Sequence, residues 1–204
     1  MMTKLVKIAD SNKFIAIFIR IFVFLATKII SAFDEMTGWI RIKFSIPDKY
    51  SQLKEYKDKY KGKRCFIVCT GPSLTIDDVE KLKNEYTFGM NSLCLLCDKT
   101  SFRPTFYSCI DVIVYRKFKS QIEEFTSGSK DVFISNRIAR NERVNPDWKI
   151  IPINVAYHTY DRWFRHKYWC KFSDNSLRTI YDMYSVTHAL IQRNHIPCSR
   201  SEER

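Results

Sequence analysis

The chain is poor in glycine, with only five in 204 residues. It contains neither a G-x-G-x-x-G run nor a P-loop with its lysine, so those two ways of holding phosphate are not supported. Zinc-finger spacing, a helix-turn-helix signature and a separate basic tail are also missing, which argues against nucleic acid as a partner. No small-x-small cleavage site follows the apolar N-terminal segment, which argues against a removed signal sequence.

Seven cysteines are present, but they are scattered and lie mostly inside apolar runs, where free cysteine behaves as a small hydrophobic side chain. Cys94 and Cys97 have C-x-x-C spacing. A redox or zinc site needs polar surroundings and, for zinc, a second ligand pair, and the sequence supplies neither. We therefore predict no metal site, and a protein of the reducing cytoplasm.

The chain has a surplus of positive charge and of aromatic residues, with a formal net charge of +12 and 15% Phe, Trp and Tyr. Such a surplus attracts phosphate groups, whether on a nucleotide or on an anionic lipid. With 45% hydrophobic residues, the chain can bury the core of one globular domain.

Residues 14–33 form an apolar block of about membrane-spanning length that contains two cations. The apolar side chains favour insertion by roughly 4 to 8 kcal/mol, and two central cations oppose it by about 5 to 7 kcal/mol, so spanning is not secured. The polar residues recur seven or four positions apart, at Lys13, Arg20, Thr27 and Ser31, with Lys28 at the margin of the stripe. One polar stripe on an apolar helix favours an anchor or a helix in the membrane interface. A helix that packs on the domain or on a partner is the alternative.

The chain divides into four parts by composition. Residues 39–44 alternate apolar and basic residues, which predicts a short strand or a strip beside the membrane. The predicted parts are an N-terminal anchor or interfacial helix (1–45), a charged linker or solvated helix (46–62), a nucleotide-binding α/β domain (63–192) and an irregular tail (193–204).

The ligand-binding loop is predicted where a buried strand meets a helix. Residues 64–69 are a short apolar run, as expected of a strand in a parallel sheet. The loop that follows consists of Thr70, Gly71, Pro72 and Ser73. Gly71 permits a sharp turn and a close approach to a ligand. Thr75 or Asp77 can then cap a helix, and a strand, turn and helix in this order place a ligand at the carboxyl end of the strand.

Two more apolar runs stop at polar residues. Residues 86–90 end at Asn91, and residues 106–110 end at Asp111. Repeated β-α-β units predict a Rossmann-like α/β fold with a parallel sheet and flanking helices, whose strand ends meet at one edge. An asparagine there can read a base or a ribose, and Asp111 can bind ribose or a metal ion or act as a base. Each can equally be a plain turn residue.

These residues resemble a known family. The segments VCTGPSL, TFGMNSL and RPTFYSCID are similar to bacterial proteins encoded with surface-polysaccharide genes, which share a domain (domain of unknown function 115) with the archaeal 6-hydroxymethylpterin diphosphokinases. A more distant similarity is to bacterial sialyltransferases that use CMP-sialic acid and carry a GNGPS loop. Thr70 stands where that loop has asparagine, so an amide contact at this position is lost.

The resemblance implies a set of nucleotide contacts: Thr70, Gly71, Ser73 and Asn91, with Ser185 and Thr187 at a hydroxyl-rich helix start that meets phosphate. Anions favour such a helix start on physical grounds as well. His188 is a candidate general base because its pKa suits neutral pH, and a plain helical histidine is the alternative. Residues 157–169 are aromatic and basic, and include His158 and His166. The resemblance makes them an acceptor lid, and a small satellite core is the other interpretation.

After residue 192 the sequence departs from the family pattern. The tail is polar and contains Pro197, which predicts a truncated sheet with one side missing. The resemblance implies a CMP-sugar-dependent glycosyltransferase that makes surface glycans at the inner face of the cell membrane. The alternatives are a diphosphokinase-like enzyme that uses ATP and Mg²⁺, and an inactive protein that only binds nucleotide.

Overall fold

A parallel β-sheet forms the centre of the protein in the computed structural model. The structure describes residues 13–56, 59–60, 62–157, 159, 171–173, 175–182, 186–193 and 200–201. The five main strands are β1 (Arg64–Val68), β2 (Tyr86–Met90), β3 (Phe106–Cys109), β4 (Asp131–Ser135) and β5 (Lys149–Ile151). Two further strands, β6 (Ile153–Asn154) and β7 (Ile180–Tyr181), pair as a small parallel sheet of their own. A two-residue strand, β8 (Arg200–Ser201), adds to the main sheet beside β1.

The strand order in the main sheet is β5-β4-β3-β2-β1-β8, and every pairing is parallel. The chain therefore runs outward from β1 to β5 one strand at a time and returns at the end to the other side of β1. Helices flank this sheet, so the predicted Rossmann-like α/β fold is confirmed. The three predicted strands are observed close to their predicted bounds.

Helices cover both faces of the sheet because successive strand residues point to opposite sides. On one face lie α2 (Ile76–Glu80), the 3-10 helix Asn91–Leu96, α3 (Val112–Lys117), α4 (Lys119–Phe125) and α5 (Asn136–Asn141), over a core that includes Tyr107, Cys109 and Ile134. On the other face Phe88, Phe106 and Phe133 form an aromatic row, with ring centroids 5.8 Å apart for the first pair. A later helix, α6 (Val186–Arg193), adds Ala189 to that second core.

The stretch predicted to be a charged linker or solvated helix belongs to the core instead. It contains a 3-10 helix, Ser51–Tyr56, in which Leu53 and Tyr56 are buried, and Tyr60 is buried just after it. Their spacing of three and four residues gathers the apolar side chains on one face, while Lys54, Glu55 and Lys59 are exposed to water. The Tyr56 hydroxyl also donates to Asp131 Oδ1 at 2.5 Å.

The N-terminal apolar helix is confirmed and is longer than predicted. It is α1 (Lys13–Lys43), so residues 39–43 are helical and the predicted short strand there is wrong. The helix continues because Gly38 and Arg41 pack against the backbone of Arg178, where Arg41 Nη2 donates to the carbonyl oxygen at 3.0 Å. A Cβ on Gly38 would lie 2.3 Å from that same oxygen, so only glycine allows the approach.

The predicted irregular tail overlaps two regular elements. Arg193 is the last residue of α6, and β8 pairs with β1 through Arg64 with Arg200 and Cys65 with Ser201. The side of the sheet that was expected to be missing is therefore occupied by a short strand. Residues 194–199 and 202–204 lie outside the described residues.

Candidate functional site

The carboxyl ends of four neighbouring strands lie in register at one edge of the sheet. Val68 pairs with Gly89, and Met90 pairs with Ser108. A polar residue follows each strand within two positions: Thr70 after β1, Asn91 after β2, Asp111 after β3 and Asn136 after β4. Because neighbouring strands are about 4.8 Å apart, these residues form a polar row roughly 14 Å long. We call it the carboxyl rim.

The loop after β1 lies at the point where the strand order reverses. The chain passes from β1 toward β5 in one direction, and β8 lies on the opposite side of β1. In open α/β sheets, ligands bind in the crevice outside the carboxyl ends of the strands at such a switch point. The topology therefore puts residues 69–73 at the position in this fold class that most often holds a ligand.

All five residues of the loop, 69–73, are exposed to solvent. Leu74 N–H donates to the carbonyl oxygen of Gly71 at 3.1 Å and closes a tight turn. The Ser92 hydroxyl donates to Thr70 Oγ1 at 3.4 Å, which ties the loop to the segment after β2. Thr70, Gly71, Pro72 and Ser73 are thus brought beside Asn91, as the sequence predicted for one shared edge. Whether they bind a nucleotide stays a prediction.

Gly71 is the one glycine of the chain that the fold itself does not require. The other four each have an internal reason: Gly38, Gly89 and Gly128 have neighbours within 3.1 Å of a Cβ position, and Gly62 has a φ of +80°. Among the described residues, a Cβ on Gly71 would meet only Ser73 Oγ, at 3.8 Å, which is an ordinary contact, and its φ lies outside the left-handed region. The open space above Gly71 is what the close approach of an external ligand needs.

Asn91 combines a strained backbone with an unsatisfied side chain. Its φ of 41° is left-handed, a conformation that asparagine tolerates better than most residues. The Tyr107 hydroxyl donates to its carbonyl oxygen and holds this turn. Its side-chain Oδ1 is buried and has no hydrogen-bond partner within the described part of the chain. A buried acceptor without a donor costs about 1 to 3 kcal/mol, which a bound N–H or O–H group would recover once the amide turns toward the rim.

Helix α6 brings a second hydroxyl to the same edge. Thr187 Oγ1 lies 3.5 Å from Cys69 Sγ, at the end of β1, and 3.9 Å from Met90 Sδ, at the end of β2. Thr187 therefore lies beside Cys69 and Met90 next to the loop, although it is more than 90 positions from each of them in sequence. Ser185, the other predicted hydroxyl of this helix start, lies outside the described residues, as do His158 and His166.

Gln192 holds α6 in place through a fully satisfied buried amide. Its Oε1 accepts from Ser173 N–H at 3.0 Å and from Tyr181 N–H at 3.1 Å, and its Nε2 donates to the Tyr181 carbonyl at 3.1 Å. Two backbone donors at the oxygen fix which end of the amide is which. The same Nε2 lies 3.0 Å from Nδ1 of His188.

The contact with Gln192 determines the tautomer of His188. An amide nitrogen only donates, so Nδ1 of His188 accepts and the ring proton is on Nε2. That Nε2 is buried without a partner among the described residues, and the ring contacts Phe172 in a tilted arrangement, with centroids 4.3 Å apart and planes at 57°. Burial lowers the pKa of His188, and the charge of Asp182 opposes this shift. The ring is therefore neutral at pH 7 and presents an N–H donor, whereas a general base needs a free lone pair.

Asp111 lies on the carboxyl rim and caps a helix. Its Oδ1 accepts from Ile113 N–H at 2.7 Å and from Val114 N–H at 3.4 Å, at the first turn of α3. The residue remains exposed, so its carboxylate is accessible from the rim. Beside it, the Cys109 thiol donates to the Asp111 carbonyl at 3.7 Å, and burial raises the pKa of this thiol to about 12. Cys109 is therefore protonated and is not a nucleophile at neutral pH.

Asn136 is a rim residue that the sequence analysis missed. It follows β4 directly, its Nδ2 donates to the Tyr50 hydroxyl at 3.4 Å, and its Oδ1 is buried without a partner in the described ranges. The preceding Ser135 caps α5 by accepting from Ile138 N–H at 3.3 Å. The signal was available in the sequence, because Asn136 directly follows the apolar run of β4 as Asn91 directly follows that of β2.

Two other features lie away from this rim. A cleft of about 370 Å³, lined by Lys130, Asp131 and Trp148 among others, lies near the amino ends of β4 and β5, at the opposite edge of the sheet. Cys97, Asp98 and Glu124 have ligand atoms within 4.8 Å of one another. Arg103 Nη2 donates to Cys97 Sγ at 3.2 Å, and this fixed positive charge opposes a cation there.

Comparisons of the chain with protein-family models, with curated proteins and with solved structures give no match. What bears on function is therefore the chemistry of the carboxyl rim itself.

Proposed function

We propose that this protein is a nucleotide-dependent transferase, and most specifically a sialyltransferase-like glycosyltransferase with a CMP-sugar as donor. The observation that carries the proposal is Gly71. In a chain with five glycines, the one that the fold does not need stands in an exposed turn at the switch point of a parallel sheet. Phosphate or sugar groups that approach the backbone closely are the ligands that favour such a glycine.

The neighbouring groups suit a nucleotide. The orphan amide oxygen of Asn91 is an acceptor for an amino or hydroxyl group of a base or ribose. The hydroxyls of Thr70, Ser73 and Thr187 are donors for phosphate oxygens. The net charge of +12 adds a long-range attraction for the anion.

In this transferase the sugar is displaced from the nucleotide by an acceptor hydroxyl. Asp111 and His188 are the two candidates for the base that removes the acceptor proton. Asp111 has an exposed carboxylate that can accept a proton. His188 instead has its Nδ1 lone pair occupied by Gln192 and a buried N–H group at Nε2. We therefore favour Asp111 as the base. We expect the acceptor to be a lipid-linked or surface glycan, and the reaction to take place at the cytoplasmic face of the cell membrane.

Isothermal titration of the full chain with CMP, CMP-sialic acid and ATP tests the proposal. We expect CMP and CMP-sialic acid to bind without metal, and an Asn91→Ala variant to bind them at least tenfold more weakly. ATP binding that requires Mg²⁺ would instead favour the diphosphokinase-like alternative, with Asp111 near the metal. Absence of binding by all three ligands would contradict a nucleotide site of either kind.

A further inference from the structure

Helix α1 is attached to the domain by its polar and small side chains. The residues of α1 that the fold buries are Ala16, Val23, Thr27, Ser31 and Gly38. Asn154 Nδ2 donates to the Ser31 hydroxyl at 3.0 Å and to its carbonyl at 3.2 Å. Glu35 pairs with Lys171 at 2.8 Å, and Lys28 Nζ donates to the Tyr157 carbonyl at 3.1 Å. The polar side chains of α1 thus face the protein. A surface helix of a soluble domain normally packs its apolar side chains against the protein instead.

The opposite face of α1 is apolar and largely exposed to solvent. Its exposed large side chains between residues 14 and 33 are Phe14, Ile15, Ile17, Phe18, Ile21, Phe22, Phe24, Leu25, Ile29, Ile30 and Phe33. Phe14 is 81% exposed and Phe18 is 75% exposed. A continuous surface of this kind is unusual on a soluble monomer and marks a contact with another apolar phase.

The exposed positions are too widely distributed for a second helix to cover them. A helix dimer buries a narrow seam of two residues in every seven. In the seven residues from Ile15 to Ile21, four large apolar side chains are exposed, and they cover most of the circumference that the domain leaves free. A lipid phase covers such an arc in one contact, whereas a single partner helix does not.

The contacts with the domain also argue against a spanning orientation. They run from Lys28 to Arg41, where Arg41 Nη2 donates to the Leu177 carbonyl at 2.7 Å. Of the described helix, residues 13–27 remain, and at about 1.5 Å per residue they cover roughly 22 Å, less than the hydrocarbon thickness of about 30 Å. Ala16 and Val23 are buried as well, so the seam continues into this half.

Cations stand at both ends of the apolar face. Lys13 begins the helix, and Lys43 ends it with its ammonium 4.4 Å from the Trp39 ring centroid. A lysine over an exposed tryptophan at the limit of an apolar face suits the level of lipid headgroups, where the ammonium meets phosphate and the ring meets acyl chains.

We propose that α1 lies in the plane of an anionic membrane as a monotopic helix, with its phenylalanine and isoleucine face in the lipid and its polar seam holding the domain. Two contacts place α1 relative to the sheet. Asn154, which binds α1, follows the carboxyl end of β5 by three residues. The Tyr50 ring lies against Arg41 of α1, and the Tyr50 hydroxyl accepts from the rim residue Asn136. The helix therefore lies on the side of the sheet where the carboxyl rim is, and the rim faces the membrane surface. This orientation does not depend on what the rim binds.

Vesicle binding by the full chain is the first test. We expect co-sedimentation with vesicles of phosphatidylcholine and phosphatidylglycerol, and weaker binding to phosphatidylcholine alone. The triple variant F18S/F22S/L25S should lose at least tenfold in vesicle affinity. The control N84S replaces an exposed side chain just before β2, at the amino edge of the sheet and away from the rim, and should bind like the parent chain. Equal binding by the triple variant and the control would overturn the proposal.

Depth measurement distinguishes lying from spanning. A fluorescent unnatural amino acid is placed in turn at Phe18, Phe22, Leu25 and Ile29. Quenching by lipids brominated at shallow or deep positions then gives the depth of each position in the membrane. A lying helix gives the same shallow depth at all four positions. Depths that change steadily along the series, by about 1.5 Å per residue, would overturn the proposal. The proposal would also be overturned if the chain did not bind vesicles and instead formed a dimer without lipid in sedimentation velocity. Loss of that dimer in the triple variant would assign the apolar face to contact with a second copy.

Discussion

Replacing Gly71 with alanine tests whether this glycine is required for folding or for ligand binding. The added Cβ meets only Ser73 Oγ, at 3.8 Å, in the part of the chain that the structure describes, so it clashes with nothing there. Alanine also restricts the unfolded chain, and we expect the free energy of unfolding to stay the same or to rise by about 0.4 to 1 kcal/mol. Circular dichroism in a urea gradient measures this change.

Gly89→Ala is the matched control, because that glycine is required by packing. Its Cβ would lie 2.8 Å from Leu93 Cδ2 and 3.0 Å from Cγ of the rigid Pro104 ring. Overpacking of this kind costs about 1 to 3 kcal/mol, so this variant should unfold at lower urea.

Ligand affinity, unlike stability, should be lowered by Gly71→Ala. An N–H group of the loop that binds a phosphate oxygen brings it to about 2.9 Å, while a methyl carbon needs about 3.5 Å or more from its neighbours. We therefore expect Gly71→Ala to bind CMP at least tenfold more weakly, about 1.4 kcal/mol by titration calorimetry. A Gly71→Ala variant that binds CMP like the parent chain, or that is destabilised as much as Gly89→Ala, would refute the reasoning.

Three further predictions concern the groups around the rim. Gln192→Ala leaves three buried backbone groups without partners, at about 1 to 3 kcal/mol each, so it should lower the urea midpoint strongly. Gln52→Ala, at an exposed position, should change stability by less than about 0.5 kcal/mol. Because burial holds the pKa of His188 below its unfolded value of about 6.5, the unfolded chain binds that proton more readily. The stability of the parent chain should therefore be full above about pH 6.5 and fall below it, and urea midpoints of His188→Gln should lose this part of the pH dependence. Asn91→Gly keeps the left-handed turn and removes the amide, so it should retain the urea midpoint and lose CMP affinity in calorimetry.

The features that follow from local chemistry were predictable from the sequence. Thr75 or Asp77 was expected to cap α2, and Thr75 does so reciprocally: its hydroxyl accepts from Asp78 N–H at 3.2 Å, and the Asp78 carboxylate accepts from Thr75 N–H at 3.1 Å. The apolar run of β1 and its polar end fixed the place of the loop. In these cases, residues within a few positions of one another supply all the energy that decides the structure.

Features that depend on distant partners were not predictable in the same way. The 3-10 helix at Ser51–Tyr56 has charged residues between its apolar ones, and only the sheet face beneath it decides that Leu53 is buried. The two residues of β8 carry no pattern long enough to indicate a strand, and β1 supplies their hydrogen bonds. The tautomer of His188 depends on Gln192, whose orientation in turn depends on two backbone groups from other segments.

The strand order has a consequence for how the protein forms during synthesis. Strands β2 to β5 each pair with the strand made just before, so most of the sheet can assemble while the chain is still growing. The pairing of Arg64 with Arg200 is the exception, since its two strands are separated by almost the whole domain. Residues 69–73 therefore emerge early beside an open flank, and we expect the crevice at this loop to close only after translation of the last strand.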